Sequence, residues 1–281
     1  MKNMTALMSY FVRYYYTKNN ENKLYEEKVK LLSDEEYQNI EYSLSSGIKF
    51  FNPLYNENDP VKFIVNNQLG PSVIARSIIC EKFLLDLISK GCKQYLILAS
   101  GYDTSFSKVS RDVMVYEVDK EEIIDDKKRR VKISNANNDN VSYIKCDFNS
   151  EWINNILNST FKKDELTFCS LLGISYYLDK QVFEETIELV ASIIGNNSYI
   201  IFDYPINDES EKEILNKKLA KGANEEMKSN YSLRDIECIA KNANLNIYKN
   251  YDYKDINSEY FNNQCMEAPK GVNYCVLVKN K

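Results

Sequence analysis

From residue 94 onward the chain repeats one pattern, a short apolar run, a turn, and then a polar stretch or a helix-like segment. The runs are 94–100 (QYLILAS), 114–119 (MVYEVD), 141–147 (VSYIKCD), 166–173 (LTFCSLLG) and 198–205 (SYIIFDYP). Strands that read as continuously apolar are covered on both faces, which is the situation of a parallel sheet with helices on either side. Between the last two runs the spacing predicts a helix capped by Asp179 and ended by Gly195. Phe183, Ile187, Val190 and Ile194 form its buried stripe. A further helix opens at Ser232, with Asp235 at the capping-box spacing and Ile236, Ile239 and Ala243 on one side. Two last strands, 246–251 and 273–279, are separated by a polar stretch without helical pattern, which predicts an antiparallel pair. The fold class expected is a doubly wound α/β sheet with an antiparallel tail.

Residues 1–90 show no period-two strands and read as a helical cap ahead of a core over 91–281. The segment 71–90 carries Ile74, Ile78, Leu85 and Ile88 at helical spacing, with Gly91 as its stop. Ser33 and Glu36 form a capping-box pattern, and the Pro- and Asn-rich stretch 50–60 reads as a loop.

Composition narrows the chemistry. The 281 residues contain no histidine, which removes the Ser-His-Asp triad, the Cys-His dyad, His-ligated zinc and every imidazole base. The seven cysteines are scattered without a CxxC pair; neither a disulfide framework nor a metal site is expected, and each reads as a small buried hydrophobe. A net charge of -5 argues against a nucleic-acid partner. No apolar run approaches the ~20 residues of a membrane helix, and the opening residues mix Lys2, Asn3 and Arg13 with apolar ones. A cytosolic protein with no membrane partner is expected, and nothing in the chain fixes its oligomeric state.

In a doubly wound sheet, ligands bind beyond the carboxyl ends of the strands. Strand one ends in Ala99-Ser100-Gly101, a small-residue turn that lets backbone N–H groups approach a ligand. Strand two ends in Glu117-Val118-Asp119, whose two acids share a face; a carboxylate there either holds a ribose diol or caps the next helix. Strand three ends in Asp147-Phe148, an acid and an aromatic suited to an adenine, or, for Asp147, to capping a helix that starts near 149. Three such ends in order, without GxGxxG, favour an adenosine cofactor lacking a pyrophosphate, S-adenosyl-L-methionine (SAM), over NAD(P).

At these positions the chain resembles the leucine carboxyl methyltransferase-like group of SAM-dependent methyltransferases, including polyketide O-methyltransferases of the tetracenomycin type. The matching segments are VIARS around Arg76, LASGYDT at 98–104, YEVDK at 116–120, KCDFNSEW at 145–152, LLGISYYL at 171–178 and SNYSLRDIECIAKNANL at 229–245. The resemblance implies a Rossmann-like seven-stranded sheet and an enzyme whose product is S-adenosyl-L-homocysteine (SAH). By the same resemblance, Arg76 pairs with the cofactor's methionine carboxylate. Ala99, Ser100 and Gly101 form the turn beneath it, Asp119, with Glu117 beside it, holds the ribose, and Asp147 and Phe148 contact the adenine. Two positions depart from the family's pattern. Ala99 stands where the first glycine is usual, which is tolerable only at negative φ. Leu172 replaces an acidic residue, so the cofactor's ammonium needs another acceptor, such as a backbone carbonyl.

The expected reaction is methyl transfer to an oxygen of a small molecule. A carboxylate acceptor needs no base, since it is ionised at pH 7, and this suits a chain without imidazole. Arg13, Tyr14, Tyr15 and Tyr16 from the cap, with Tyr176 and Tyr177 after strand four, are candidates to line the acceptor pocket, Arg13 by pairing with a carboxylate. The alternatives are a methyltransferase acting on a protein's C-terminal carboxylate and a non-catalytic SAM-binding relative. Arg76 itself lies among apolar neighbours and needs a partner; a structural one would be Asp103 or Asp119.

Overall fold

The computed structural model describes residues 4–21, 23–148, 152–207, 214–215, 218, 227–262 and 264–280. Its strands are β1 (Gln94–Leu98), β2 (Met114–Asp119), β3 (Val141–Lys145), β4 (Thr167–Leu171), β5 (Tyr199–Pro205), β6 (Leu245–Tyr251) and β7 (Val272–Lys279). They form a single sheet in the order β3-β2-β1-β4-β5-β7-β6. The first five run parallel, and β7 lies antiparallel between β5 and β6. The antiparallel pair follows the expectation. Strand order reverses between β1 and β4, which opens a crevice at their carboxyl ends. The strands are shorter than the apolar runs suggest: residues 99–100, 146–147 and 172–173 leave the ladder as turns, where they face that crevice.

Period-two alternation sorts the side chains into two cores. Leu96 and Leu98 of β1 join Tyr116, Val118 and the apolar faces of α8 (Lys180–Ile193) and α9 (Leu233–Asn242). Tyr95 and Ile97 join Leu7, Tyr10 and Phe11 of α1 (Met4–Asn19) and Ile74 and Ile79 of α5 (Gly70–Ser89). The N-terminal helices therefore share a continuous core with the sheet. Between α1 and α5 come α2 (Asp34–Ser46), α3 (Ile48–Phe51), α4 (Pro60–Ile64) and a π-helical turn (Val65–Leu69) that leads into α5. The capping box of Ser33 and Glu36 opens α2 as expected.

Tyrosines of α1 pin the loop that follows it. Tyr10 donates to Val29 O (2.6 Å) and accepts from Leu31 N (2.7 Å), while Tyr16 accepts from Leu24 N (3.1 Å). An arginine clamp joins cap to core: Arg130, on α6 (Glu121–Ser134), makes two 2.8 Å bonds to Glu36 and one of 2.6 Å to Asp126. Such planar, two-pronged pairing is what the guanidinium fork provides.

Some expectations need correction. A short helix α10 (Tyr253–Glu259) occupies the stretch read as an irregular loop, opened by a capping box of Asp252 and Asp255. Asp179 sits at the N-cap of α8 but makes no capping bond, and that helix ends at Ile193 rather than at Gly195. Cys238 and Cys265 are exposed, whereas the other five cysteines are buried. The segment around 149–151 lies outside the described residues. After it comes a short α7 (Ile153–Leu157). Among the described residues no helix is long and apolar enough to cross a membrane.

Candidate functional site

A cavity of about 690 Å3 opens over the carboxyl ends of β1, β2 and β4, between the sheet and the N-terminal helices. That is within the ~300–1,000 Å3 typical of small-molecule sites. Its floor is the turn after β1. Ser100 N donates to Val118 O (3.1 Å) and Asp103 N to Ser100 O (2.8 Å), which closes the turn. Gly101 N donates to Asp119 Oδ2 (2.7 Å), and Lys120 N to Asp119 Oδ1 (2.7 Å). Ala99 and Gly101 both have positive φ, 52° and 47°. Glycine takes that conformation freely, whereas alanine there is strained. Above Gly101 the roof is α1: a Cβ at this position would lie 3.3 Å from Ala6 Cβ.

Around this turn the structure gathers most of the residues singled out from sequence. Asp119, Asp147, Phe148, Arg76, Leu172, Tyr176 and Tyr177 line the same cavity, as do Ala99, Ser100 and Gly101. Asp119 is buried; burial pushes its carboxyl above the ordinary value, opposed by the two N–H bonds. Each of its oxygens retains accepting capacity beyond the single N–H it takes. Ser100 Oγ is buried without a protein partner. The Phe148 ring stands edge-on to Trp152 at 5.2 Å. A carboxylate, an unpartnered hydroxyl, an acid-aromatic pair and a guanidinium around one cavity fit an adenosine cofactor with an amino-acid tail.

Four of the singled-out side chains lie elsewhere. Glu117 is fully buried, away from the cavity, and is ion-paired to the equally buried Lys127 of α6 at 2.6 Å. Burial pushes the Glu117 carboxyl up to about 7, with Lys127 pulling it down. The two acids do point the same way from β2, but α6 roofs the first and leaves the second open. Tyr14 stacks on Tyr10 and meets Tyr37 edge-on, Tyr15 packs against Phe11, and Tyr16 pins residue 24. None of the three lines the cavity.

Arg13 does reach the cavity wall, where it is also bound within the protein. Its Nε bonds Glu27 (3.0 Å) and its Nη2 donates to Tyr102 O (2.8 Å). The Thr104 hydroxyl also donates to Glu27. Arg13 thus ties α1 to the turn after β1.

Arg76 has a partner that neither sequence alternative named. Its Nη1 lies 3.3 Å from Oδ2 of Asp203, a fully buried acid of β5, and its Nη2 donates to Ser9 of α1 (3.1 Å). Asp203 also accepts from Gly173 N (2.6 Å) and from the Tyr176 hydroxyl (3.1 Å). Gly173 has φ 71°, and a Cβ there would lie 2.6 Å from Arg76 Nη1, so the guanidinium passes over the turn only because this residue is glycine. The overlooked signal was a lone acid inside the apolar run SYIIFDYP. Among the described residues no group of three or more potential metal ligands comes together.

Known proteins resemble this chain in sequence and in fold. A family model described as leucine carboxyl methyltransferase matches residues 6–191. A Bacillus subtilis (strain 168) protein assigned as a SAM-dependent methyltransferase, YktD, is 30% identical, with 98% of this chain and 97% of that protein covered. Among solved structures, a DUF574-family protein from Streptomyces avermitilis superposes with a TM-score of 0.60 at 13% identity, over 85% of this chain and 90% of that one. Magnesium protoporphyrin IX methyltransferase from Synechocystis PCC 6803, solved with bound SAH, gives 0.51 at 12% identity, over 85% and 96%. At such identities the structures show the fold alone.

Two outcomes follow from the floor of the cavity. Asp119→Ala weakens SAM binding by about 1–3 kcal/mol in calorimetry, the scale of charge-assisted bonds lost; unchanged affinity would remove this acid from the site. Ala99→Gly relieves the left-handed strain and raises the unfolding free energy in urea by about 1 kcal/mol. A loss of stability on this change would show that the alanine is not strained.

Proposed function

This chain belongs to the leucine carboxyl methyltransferase family and is a SAM-dependent methyltransferase, and we propose that it methylates an oxygen of a small molecule, a carboxylate on an otherwise apolar acceptor. The observation that carries this reading is the make-up of the cavity beyond the strand ends. On the side of the N-terminal helices it is walled by Met4, Met8, Leu44, Phe51 and Leu69, with Met227 joining from the other side. Flexible thioethers beside aliphatic and aromatic side chains suit an apolar body of adaptable shape.

When bound, the cofactor supplies a methyl group activated on a sulfonium. The work left to the protein is alignment and exclusion of water. Asp119 would hold the ribose hydroxyls, Asp147 and Phe148 the adenine, and Arg76 the methionine carboxylate, with Ser100 Oγ offering a further polar contact. The N-terminal helix, held by Arg13 and by the Ser9–Arg76 bond, lies over the turn and would shield one side of a bound cofactor.

The proton inventory favours an acceptor that is already ionised. No imidazole exists in the chain. The Tyr176 phenol is pushed well above its ordinary value by burial, with the Asp203 charge adding to the shift, so it stays protonated at neutral pH and cannot serve as a base. Asp179, on the rim, is ion-paired with Lys228 at 3.1 Å. A phenol or alcohol would need its proton removed; a carboxylate needs only to be placed.

The test is chemical. Incubation with methyl-labelled SAM and a panel of apolar carboxylic acids and phenols should place label only in the acids. Mild alkali should then release it as methanol, as an ester requires. Label that survives alkali, as in an aryl ether, contradicts the carboxylate reading.

A further inference from the structure

The link between Arg76 and Asp203 has a consequence for which form of the cofactor the site prefers. Asp203 reaches no solvent, and it is held by three donors: Gly173 N at 2.6 Å, the Tyr176 hydroxyl at 3.1 Å and Arg76 Nη1 at 3.3 Å. All three donor residues line the cavity, although Asp203 itself does not. The guanidinium of Arg76 is itself largely enclosed, with its side chain 14% exposed. Such an enclosed cation projects its charge into the cavity with little screening by water.

SAM and SAH share the adenosine and the zwitterionic tail and differ in one charge. The methyl donor carries a positive sulfonium, and the product carries a neutral thioether. An uncompensated guanidinium beside the tail would attract the carboxylate of both ligands alike but repel only the donor. Asp203 cancels that positive charge from behind, without occupying the space where a ligand sits.

We propose that Asp203 is a positioning residue that sets the site's preference between the charged methyl donor and its neutral product, by compensating the Arg76 guanidinium. This inference rests on the reading of the cavity as the SAM site. It assigns Asp203 no contact with either ligand: the residue acts through Arg76 and through the field it contributes. A carboxylate that only braced β5 against the turn after β4 would affect both ligands equally.

The test is calorimetric titration of SAM and SAH into the wild-type protein and two near-isosteric variants. Asp203→Asn removes the negative charge and leaves Arg76 uncompensated. The ratio of SAM to SAH affinity should then fall on the order of tenfold, the scale of one charge felt several ångströms away at an intermediate effective dielectric. Arg76→Gln removes the positive charge and leaves Asp203 uncompensated; both ligands lose the tail contact, but the same ratio should rise above that of the wild type. The opposite signs separate an electrostatic role from general damage, and the second variant decides the matter should the first fail to fold. A ratio equal to that of the wild type in each variant that folds overturns the proposal. Wild-type protein that binds neither ligand overturns the cofactor reading itself, an outcome seen before any variant is made.

Discussion

The carboxylate of Asp119 is the knot on which the site depends. One oxygen takes the amide of Gly101 and the other that of Lys120, while the residue's backbone carbonyl accepts from Cys146 N at 2.9 Å. The turn after β1, the start of α6 and the exit of β3 are thus tied to one residue at the end of β2. These bonds fix the floor of a cavity in a place where the backbone has left the sheet and can no longer rely on ladder pairing. They also explain how a left-handed alanine persists at position 99. The strain, on the order of 1–2 kcal/mol, is offset by the backbone bonds of Ser100, Gly101 and Asp103 that close the turn.

The N-terminal helices complete the site instead of merely covering it. Leu7, Tyr10 and Phe11 pack with Tyr95 and Ile97 of the sheet in one core, and polar links cross the boundary. Arg13 reaches the carbonyl of Tyr102, Arg130 reaches the capping box at Glu36, and Arg76 reaches Asp203. Each enclosed guanidinium has at least one carboxylate beside it, as low-dielectric surroundings demand. An apolar acceptor lobe and a polar cofactor floor can therefore share one cavity.

Local signals in the chain were read well because their physics is local. Fully apolar strands, the capping boxes at Ser33 and Ser232, and the glycine after α5 each report on neighbours within a few residues. The acid-aromatic pair and the small-residue turn could be placed because the carboxyl ends of parallel strands must meet at one edge. Distant pairings were not legible. Asp203 lies 127 residues from Arg76, and nothing near either residue names the other. The bond from Arg13 to Glu27 was equally hidden, because Glu27 sits in an irregular loop. Glu117 and Asp119 differ only in whether α6 passes overhead, which period-two reasoning does not reveal. The short helix α10 did carry a signal, the Asp252–Asp255 spacing, which was masked by the polarity of the surrounding stretch.

Occupancy of this cavity by the methyl donor is the property on which every assigned role depends. Calorimetric titration of folded wild-type protein with SAM should show a single site in the micromolar range, about -8 kcal/mol. NAD under the same conditions should give no heat, since no glycine-rich loop is present to take its pyrophosphate. Absence of binding at millimolar SAM, or tighter binding of NAD, would contradict it.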